Sequence, residues 1–454
     1  MQPGQGTTNL AVFTRNLRLH DNPVLAAAAR AEHVIALFVQ DDRILETFGN
    51  RRRRDFLAAG LQDLDRRLRD IGAALVVRSG DPVEVVSRLA AEYDVTQVHL
   101  AADVSSYAAR RQQRLDRALT RQRRELVVHP AVTTVVSTDQ LQPAGSDHYR
   151  VFTPYLNRWW RSPRRRILPP PQRLELPAGI DTGSLPQADG PTAWAAGETG
   201  GRDAAARWLG AGLDHYSDRH DDLAADATSK LSPYLHLGFL SPLELVTEAE
   251  QHPGEGATGF VRQLAWRDFH HQVLAARPDA AWQDYRRRDD HWNTSPDDLE
   301  AWQSGQTGFP LVDAGMRQLR ATGWLHNRAR MIVAGFLTKS LYQDWRTGAR
   351  YFLDQLIDAD LANNNLNWQW VAGTGTDTRP NRVLNPIRQA VRFDADARYI
   401  RRWVPELAEL DDPVLAREPW RLSADRRRRL DYPEPIVDLE LARQRFLAAR
   451  TGPR

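Results

Sequence analysis

The sequence predicts two domains: an N-terminal α/β domain built on a doubly wound, Rossmann-like parallel sheet, and an all-α C-terminal domain. Three observations predict this. The first ~135 residues alternate short apolar runs with helical periodicity. A proline-rich stretch then breaks the rhythm. Beyond it the pattern is helical, with few strand-like runs. At 454 residues the chain exceeds one ordinary domain. The boundaries read 1–135 for the α/β domain, 136–204 for an interdomain linker and 205–454 for the helical domain.

Each element has its own warrant. Strand-like runs fall at Leu10–Phe13, His33–Val39, Ala74–Val77, Gln97–Leu100 and Leu126–Val128. Helical patterns at Arg53–Arg69, Pro82–Glu92 and Tyr107–Arg121 separate them, as buried parallel strands require. No GxGxxG follows the first strand, so the usual dinucleotide fingerprint is missing. Seven prolines lie between Pro163 and Pro191, which reads as a long connection. Within it, Pro154–Arg166 mixes aromatics with arginines; it is a solvated linker or a nucleic-acid contact, and the linker is favoured. Helical stretches follow at Gly201–Leu209, Pro242–Glu250, Phe260–Ala276, Pro310–Thr322, Asn327–Thr338 and Trp345–Asp354.

Composition narrows the function. Hydrophobic residues are 42% and charged residues 26%, enough to bury a core and exclude wholesale disorder. The absence of cysteine excludes disulfides, thiolate catalysis and zinc ribbons. No apolar run approaches the ~20 residues of a membrane helix. The polar, uncharged Met1–Leu10 does not read as a signal peptide, so a cytoplasmic protein, expected to be monomeric, is the reading. Net charge is +3, and the only lysines are Lys230 and Lys339. The arginine excess fits either composition bias or affinity for phosphates. Fourteen tryptophans are a sharper oddity, nine of them between Trp266 and Trp403.

Four segments carry candidate chemistry. Leu356–Asp377 holds Asp358, Asp360, three consecutive asparagines and two tryptophans; the polar residues are poor helix material. It is an exposed loop or the wall of a polar cavity, and the tryptophans favour the cavity. In His326–Lys339, Asn327 and Met331 share a helix face. Arg330 lies on another face, where burial would demand a carboxylate such as Asp358 or Asp360. In Phe260–His271, Gln263, Trp266 and Arg267 form a polar-aromatic stripe, or simply an amphipathic helix with Trp in the core. His270 and His271 lack the spacing of a zinc helix, so no metal is assigned. In Asp226–Pro242, the hydroxyls of Thr228, Ser229 and Ser232 suit a phosphate or a plain helix cap.

These segments are recognisable together. The sequence resembles the DNA photolyase/cryptochrome family, and class I cyclobutane pyrimidine dimer photolyases in particular. The motifs are FTRNLRLHDN (Phe13–Asn22), ATSKLSP (Ala227–Pro233), QLAWRDF (Gln263–Phe269), TGFPLVDAGMRQL (Thr307–Leu319), GWLHNRARM (Gly323–Met331) and DADLANNNLNWQW (Asp358–Trp370), spread over nearly the whole chain in family order. The resemblance implies an α/β antenna domain, a linker and a helical FAD-binding domain. It implies that FAD is held by Tyr216, Thr228, Ser229, Lys230, Leu231, Ser232, Arg267, Arg330, Asp358, Ala359 and Asp360. Asn364 matches the position facing flavin N5. Trp266 and Met331 would flank a flipped-out dimer, while Gln263, Asn327, Arg328 and Gln389 would contact the lesion or its backbone. Trp292, Trp345 and Trp368 match the family's electron relay. The implied activity is light-driven repair of UV-damaged DNA, with an electron passing from reduced FAD to the dimer and returning.

Departures from the family pattern bear on the substrate. Gln263 stands where dimer photolyases commonly carry Glu; (6-4) photolyases and animal cryptochromes carry Gln. The (6-4) enzymes use histidines at the places of Asn327 and Met331. Plant cryptochromes place Asp, and many animal ones Cys, where Asn364 stands. Dimer repair is the reading; a cryptochrome-like light sensor is the alternative, and (6-4) repair a weaker one. The antenna reads as 8-hydroxy-5-deazaflavin rather than methenyltetrahydrofolate. Tyr107 and Ala108 replace the Asn-Glu pair of folate binders, and Asp103 is the candidate contact.

Overall fold

The computed structural model describes residues 6–190 and 192–451. The Met1–Gln5 start of the polar N-terminal stretch and Pro191, the last of the seven linker prolines, lie outside the described residues. The chain forms two compact units: one takes residues up to Asp214 together with Ser229–Pro278, the other His215–Thr228 with Asp279 onward. This division differs from the expected 1–135, 136–204 and 205–454.

In the first unit all five expected strands form: β1 (Thr8–Phe13), β2 (His33–Gln40), β3 (Leu75–Ser79), β4 (Val95–Ala101) and β5 (Glu125–His129). They pair in parallel in the order β3-β2-β1-β4-β5. β1 is buried along its whole length, as a central strand flanked on both edges must be. The order reverses at β1, so the loops after β1 and β4 form the topological switch point. Side-chain caps set the helix starts. Asn50, Asp81 and Ser105 each accept a first-turn N–H of helices Arg51–Asp70, Pro82–Glu92 and Ser106–Arg121.

The stretch expected to be a linker belongs to this unit. Its backbone bonds to the sheet domain, Glu175 O accepting from Val34 N and Thr182 O from Val77 N, each at 2.8 Å. The reading of Pro154–Arg166 as solvated linker is corrected. Phe152–Arg161 is a helix that buries Phe152, Tyr155 and Trp159, a spacing of one helix face. Pro154 sits in the first turn, where no intrahelical N–H is lost. Asp268, on helix Glu255–Ala276, accepts from Trp159 Nε1 (3.0 Å), Val135 N (2.8 Å) and Val136 N (3.2 Å), which anchors the segment. Burial pushes the Asp268 carboxyl up to about 6 against these donors and Arg267.

The second unit is helical. Its main helices are Pro296–Ser304, Pro310–Thr322, Asn327–Gly335, Trp345–Gln355, Leu361–Ala372, Pro386–Phe393 and Leu439–Thr451. Asn327–Gly335 continues as a π-turn, Phe336–Ser340, that buries Lys339. The Lys339 ammonium donates to Pro380 O (3.0 Å) and Arg382 O (2.7 Å), and burial lowers its pKa to about 7. One apolar cluster fills this unit, with Trp302, Met316, Phe336, Trp345, Phe352 and Trp368 among its members. No helix among the described residues is long and apolar enough to cross a membrane.

Helix Ser232–Leu237 ends at Gly238, in the left-handed region at φ +72°, where a side-chain carbon would overlap the Arg15 carbonyl oxygen. A left-handed non-glycine residue costs ~1–2 kcal/mol before any clash. Gly238→Ala should therefore lower stability by ~2 kcal/mol or more, read as a shift of the urea midpoint. An unchanged midpoint would contradict the close approach.

Candidate functional site

The site is best built from the turn Asp358–Asp360. Arg330 Nη2 donates to both oxygens of Asp358, at 3.1 and 2.9 Å, and Arg330 Nε donates to Leu325 O at 2.7 Å. The Asp358 side chain is only 2% exposed, so the buried carboxylate finds its counter-charge in the half-buried Arg330. Asp360 N–H bonds back to Asp358 O at 2.7 Å, and the Asp360 side chain caps helix Leu361–Ala372 through Asn363 N at 2.8 Å. Ala359 packs against the apolar cluster between them.

The asparagine run was expected to be a loop or cavity wall; the helix passes straight through it. Tertiary partners override the weak propensity. On one face, Asn365 donates to Ala281 O, and Gln369, four residues on, donates to Ala280 O (2.6 Å) and accepts from Tyr285 N (2.8 Å). On another face, Asn364 Nδ2 donates to Ala349 O at 3.0 Å. That fixes the amide and leaves its Oδ1 as an acceptor.

Helix Asn327–Gly335 carries the next group. Asn327 and Met331 share a face as expected, Nδ2 to Sδ at 4.0 Å. Arg328 was assigned to DNA. It forms a bidentate pair with Asp221, Nη2 to Oδ2 at 2.7 Å, and its guanidinium lies 4.4 Å from the Phe393 ring centre. Asp221 carries no motif and was missed. His326 caps the helix, its Nδ1 accepting from Arg328 N at 3.1 Å. The Nδ1 lone pair is thus used, which places the proton of the neutral ring on Nε2, and Nε2 is buried without a partner among the described residues. Burial, only partly offset by Asp221 and Asp226, lowers the His326 pKa to about 4. Gln389 lies half-buried on Pro386–Phe393.

Tyr216 is buried, with its ring 5.1 Å from His220. Thr228 Oγ1 is buried with no hydrogen-bond partner among the described residues. Ser229 Oγ accepts from Leu231 N at 3.4 Å, Lys230 bends the chain at φ +52°, and Ser232 starts a short helix. In the first unit, Gln263, Trp266 and Arg267 lie on Glu255–Ala276. Gln263 is exposed, and Arg267 is buried and donates to Thr133 O. Trp266 stacks on Phe152, centroids 3.6 Å apart at 8°. Phe152 was missed because it lay in the expected linker. It covers one face of Trp266 and holds its plane.

The three tryptophans expected to form a relay share the apolar cluster of the second unit: Trp345 and Trp368 are buried in it and Trp292 packs against it. Trp368 meets Phe352 at 5.0 Å and Trp302 at 6.0 Å. Gly348 makes room for it, since a side-chain carbon there would overlap the indole. Trp292 meets Tyr342 at 5.1 Å. At the switch point of the first unit, Asp103 pairs with Arg15 at 3.5 Å, and the Tyr107 hydroxyl donates to Asp41. Burial raises the Asp103 carboxyl, but Arg15, His271 and Arg111 hold it below the usual carboxylate range.

Comparison with known proteins bears on the family. Residues 9–175 match the family model described as DNA photolyase, and residues 260–451 match the FAD binding domain of DNA photolyase. A deoxyribodipyrimidine photo-lyase of Streptomyces griseus is 53% identical over 449 residues, covering 97% of this chain and 98% of that protein. A class III photolyase from Agrobacterium tumefaciens superposes with a TM-score of 0.89 at 31% identity, covering 99% of this chain and 98% of that one. A Synechocystis cryptochrome gives a TM-score of 0.90 at 28% identity, covering 98% and 100%. The residues fit a flavin nucleotide: the unpartnered Thr228 hydroxyl, the fixed Asn364 amide and the paired Arg330–Asp358 supply donors, acceptors and charge suited to its polar groups.

The His326 shift sets a pH dependence. The folded pKa lies below the ordinary 6.5, so its contribution is present above pH ~6.5 and is lost as pH falls toward 4. The difference is worth ~3 kcal/mol. His326→Asn keeps a capping side chain without the titration. It should melt with a clearly shallower loss of stability between pH 6.5 and 4; parallel pH profiles would contradict this.

Proposed function

The chain belongs to the DNA photolyase family, and on that premise we propose that it is a cyclobutane pyrimidine dimer photolyase of the class I type, binding one FAD and acting on UV-damaged DNA. When bound and reduced, FAD supplies the light-excited electron that splits the cyclobutane ring and is recovered at the end. The protein's residues do the rest. Arg330, Asp358 and Asp360 fix the turn beside which the flavin is held, with Tyr216, Thr228–Ser232 and Arg267 as its further contacts. Asn364 Oδ1 accepts from N5–H of the reduced flavin. Trp266, its far face covered by Phe152, offers one flat face to an extruded base. Asn327, Arg328, Met331, Gln263 and Gln389 contact the lesion, and Asp221 holds Arg328 in place.

One observation carries the choice of lesion. The shared face of Asn327 and Met331 presents an amide and a thioether, which supply no proton donor of the histidine kind that (6-4) repair uses. Gln263 can donate to a carbonyl but cannot give up a proton as Glu can. For the antenna, we propose 8-hydroxy-5-deazaflavin held near Asp103. The charged and hydroxyl groups of Arg15, Asp41, Asp103 and Tyr107 support this, lying where doubly wound sheets take ligands.

The test is repair of a thymine-dimer oligonucleotide by pre-reduced protein in near-UV or blue light, with dark and (6-4) arms in parallel. Light-dependent repair of the dimer alone is expected. No repair of either lesion by a flavin-loaded, photoreducible protein would favour the light sensor that Gln263 and the cryptochrome likeness allow. Trp345→Phe should block photoreduction of the oxidised flavin yet spare repair by pre-reduced enzyme; equal photoreduction would remove the relay.

A further inference from the structure

Buried indole N–H groups need acceptors, and two tryptophans of the second unit meet that need differently. Trp302 is fully buried and donates Nε1–H to a neutral carbonyl, Val333 O, at 3.0 Å. Trp345 is equally buried, but its Nε1–H donates to a carboxylate, Asp284 Oδ1, at 2.8 Å. The same oxygen accepts from Arg346 Nη2 at 2.8 Å. Arg346 is itself fixed: its Nε donates to Trp282 O at 2.7 Å, and its Nη1 pairs with Asp344 at 3.0 Å. Its guanidinium lies 4.9 Å from the Trp345 ring centre.

This difference has a chemical consequence. An indole that loses one electron becomes a cation, and a carboxylate on its N–H stabilises that cation, while a neutral carbonyl does so far less. Trp302 and Trp345 are both buried, and Trp302 lies 6.0 Å from Trp368. Trp302 therefore stands close enough to compete with Trp345 of the relay reading for the supply of an electron to Trp368. Arg346 opposes the cation through its own charge, but it is itself paired with Asp284.

We propose that Asp284 is a positioning residue that selects Trp345, rather than Trp302, as the electron donor to Trp368. The inference rests on the relay reading above. In the step, one electron leaves Trp345 for oxidised Trp368, no bond breaks, the proton stays on Nε1, and Trp292 returns one electron to Trp345. The acceptor at the inner end is photoexcited oxidised flavin, and the donor at the outer end is a soluble thiol.

The test uses full-length, FAD-loaded protein with a thiol in solution. Photoreduction is followed for wild type, Trp345→Phe, Asp284→Asn and Asp284→Glu. The Trp345 indole N–H is followed by NMR of protein labelled with ¹⁵N-tryptophan, its resonance identified by its loss in Trp345→Phe. Asp284→Asn keeps a neutral acceptor and removes the charge. It should shift the Trp345 resonance and slow photoreduction roughly tenfold or more, as expected for a hydrogen bond to a charged group; Asp284→Glu should restore much of the rate. Photoreduction at the wild-type rate in Asp284→Asn, with Trp345→Phe inactive, would overturn the proposal and leave the relay standing. Wild-type photoreduction in Trp345→Phe would overturn the relay, and the proposal with it. If Asp284→Asn fails to fold, Arg346→Gln keeps the carboxylate and removes the opposing cation. It should photoreduce at least as fast as wild type; a slower rate would overturn the proposal.

Discussion

The pair between Arg330 and Asp358 is the constraint on which the rest of the site depends. At ~3 Å and an effective dielectric constant of ~20 the attraction is about 5–6 kcal/mol. Removing two ions from water costs several kcal/mol each, so the pair adds little net stability. Its effect is geometric. Arg330 spans from the Leu325 carbonyl to the carboxylate, which holds the turn against the start of helix Asn327–Gly335. Asp360, two residues on, then caps Leu361–Ala372 at a fixed point. From that cap the helical repeat sends Asn365 and Gln369 to the loop at 280–285, and Asn364 toward helix Trp345–Gln355. A one-residue slip would leave these three amide side chains without partners.

Several buried polar groups of the molecule are met by a specific partner, and the choice of partner carries information. Asp268 collects two backbone N–H groups and an indole, and so ties Phe152–Arg161 to the helix that bears Trp266. Trp302, Trp345 and Trp368 sit in one apolar cluster, yet Trp302 gives its indole N–H to a neutral carbonyl and Trp345 to a carboxylate. The C-terminal helix is pinned by a buried ion pair, Arg450 to Asp290 at 2.8 Å, and Asp290 in turn accepts from the Tyr342 hydroxyl beside Trp292. Packing fixes where these side chains stand; their polar partners fix what charge they can carry.

Much of this was legible in the sequence. The five strands appear at the five apolar runs, since buried parallel strands leave a continuous hydrophobic signal. The cost of burying an arginine alone pointed Arg330 to Asp358 or Asp360, and the structure pairs it with Asp358. Helix Phe152–Arg161 was hidden because Pro154 and the five arginines of Pro154–Arg166 outweighed a three-residue apolar face. The helix through Asn363–Asn365 was hidden because its partners are backbone carbonyls more than 14 residues away in sequence, which no local pattern reveals. Asp221 and Asp284 were missed for the same reason: single acids in polar stretches gain meaning only from what they touch.

The most direct measurement of this account is FAD affinity in a double-mutant cycle across Arg330 and Asp358. Apo-protein would be titrated with FAD for wild type, Arg330→Gln, Asp358→Asn and the double variant, with folding checked by the melting midpoint. The account predicts that each single variant loses tenfold or more in affinity, and that the double variant is little worse than either single, because both changes release the same turn. Additive losses, or wild-type affinity in the single variants, would contradict it.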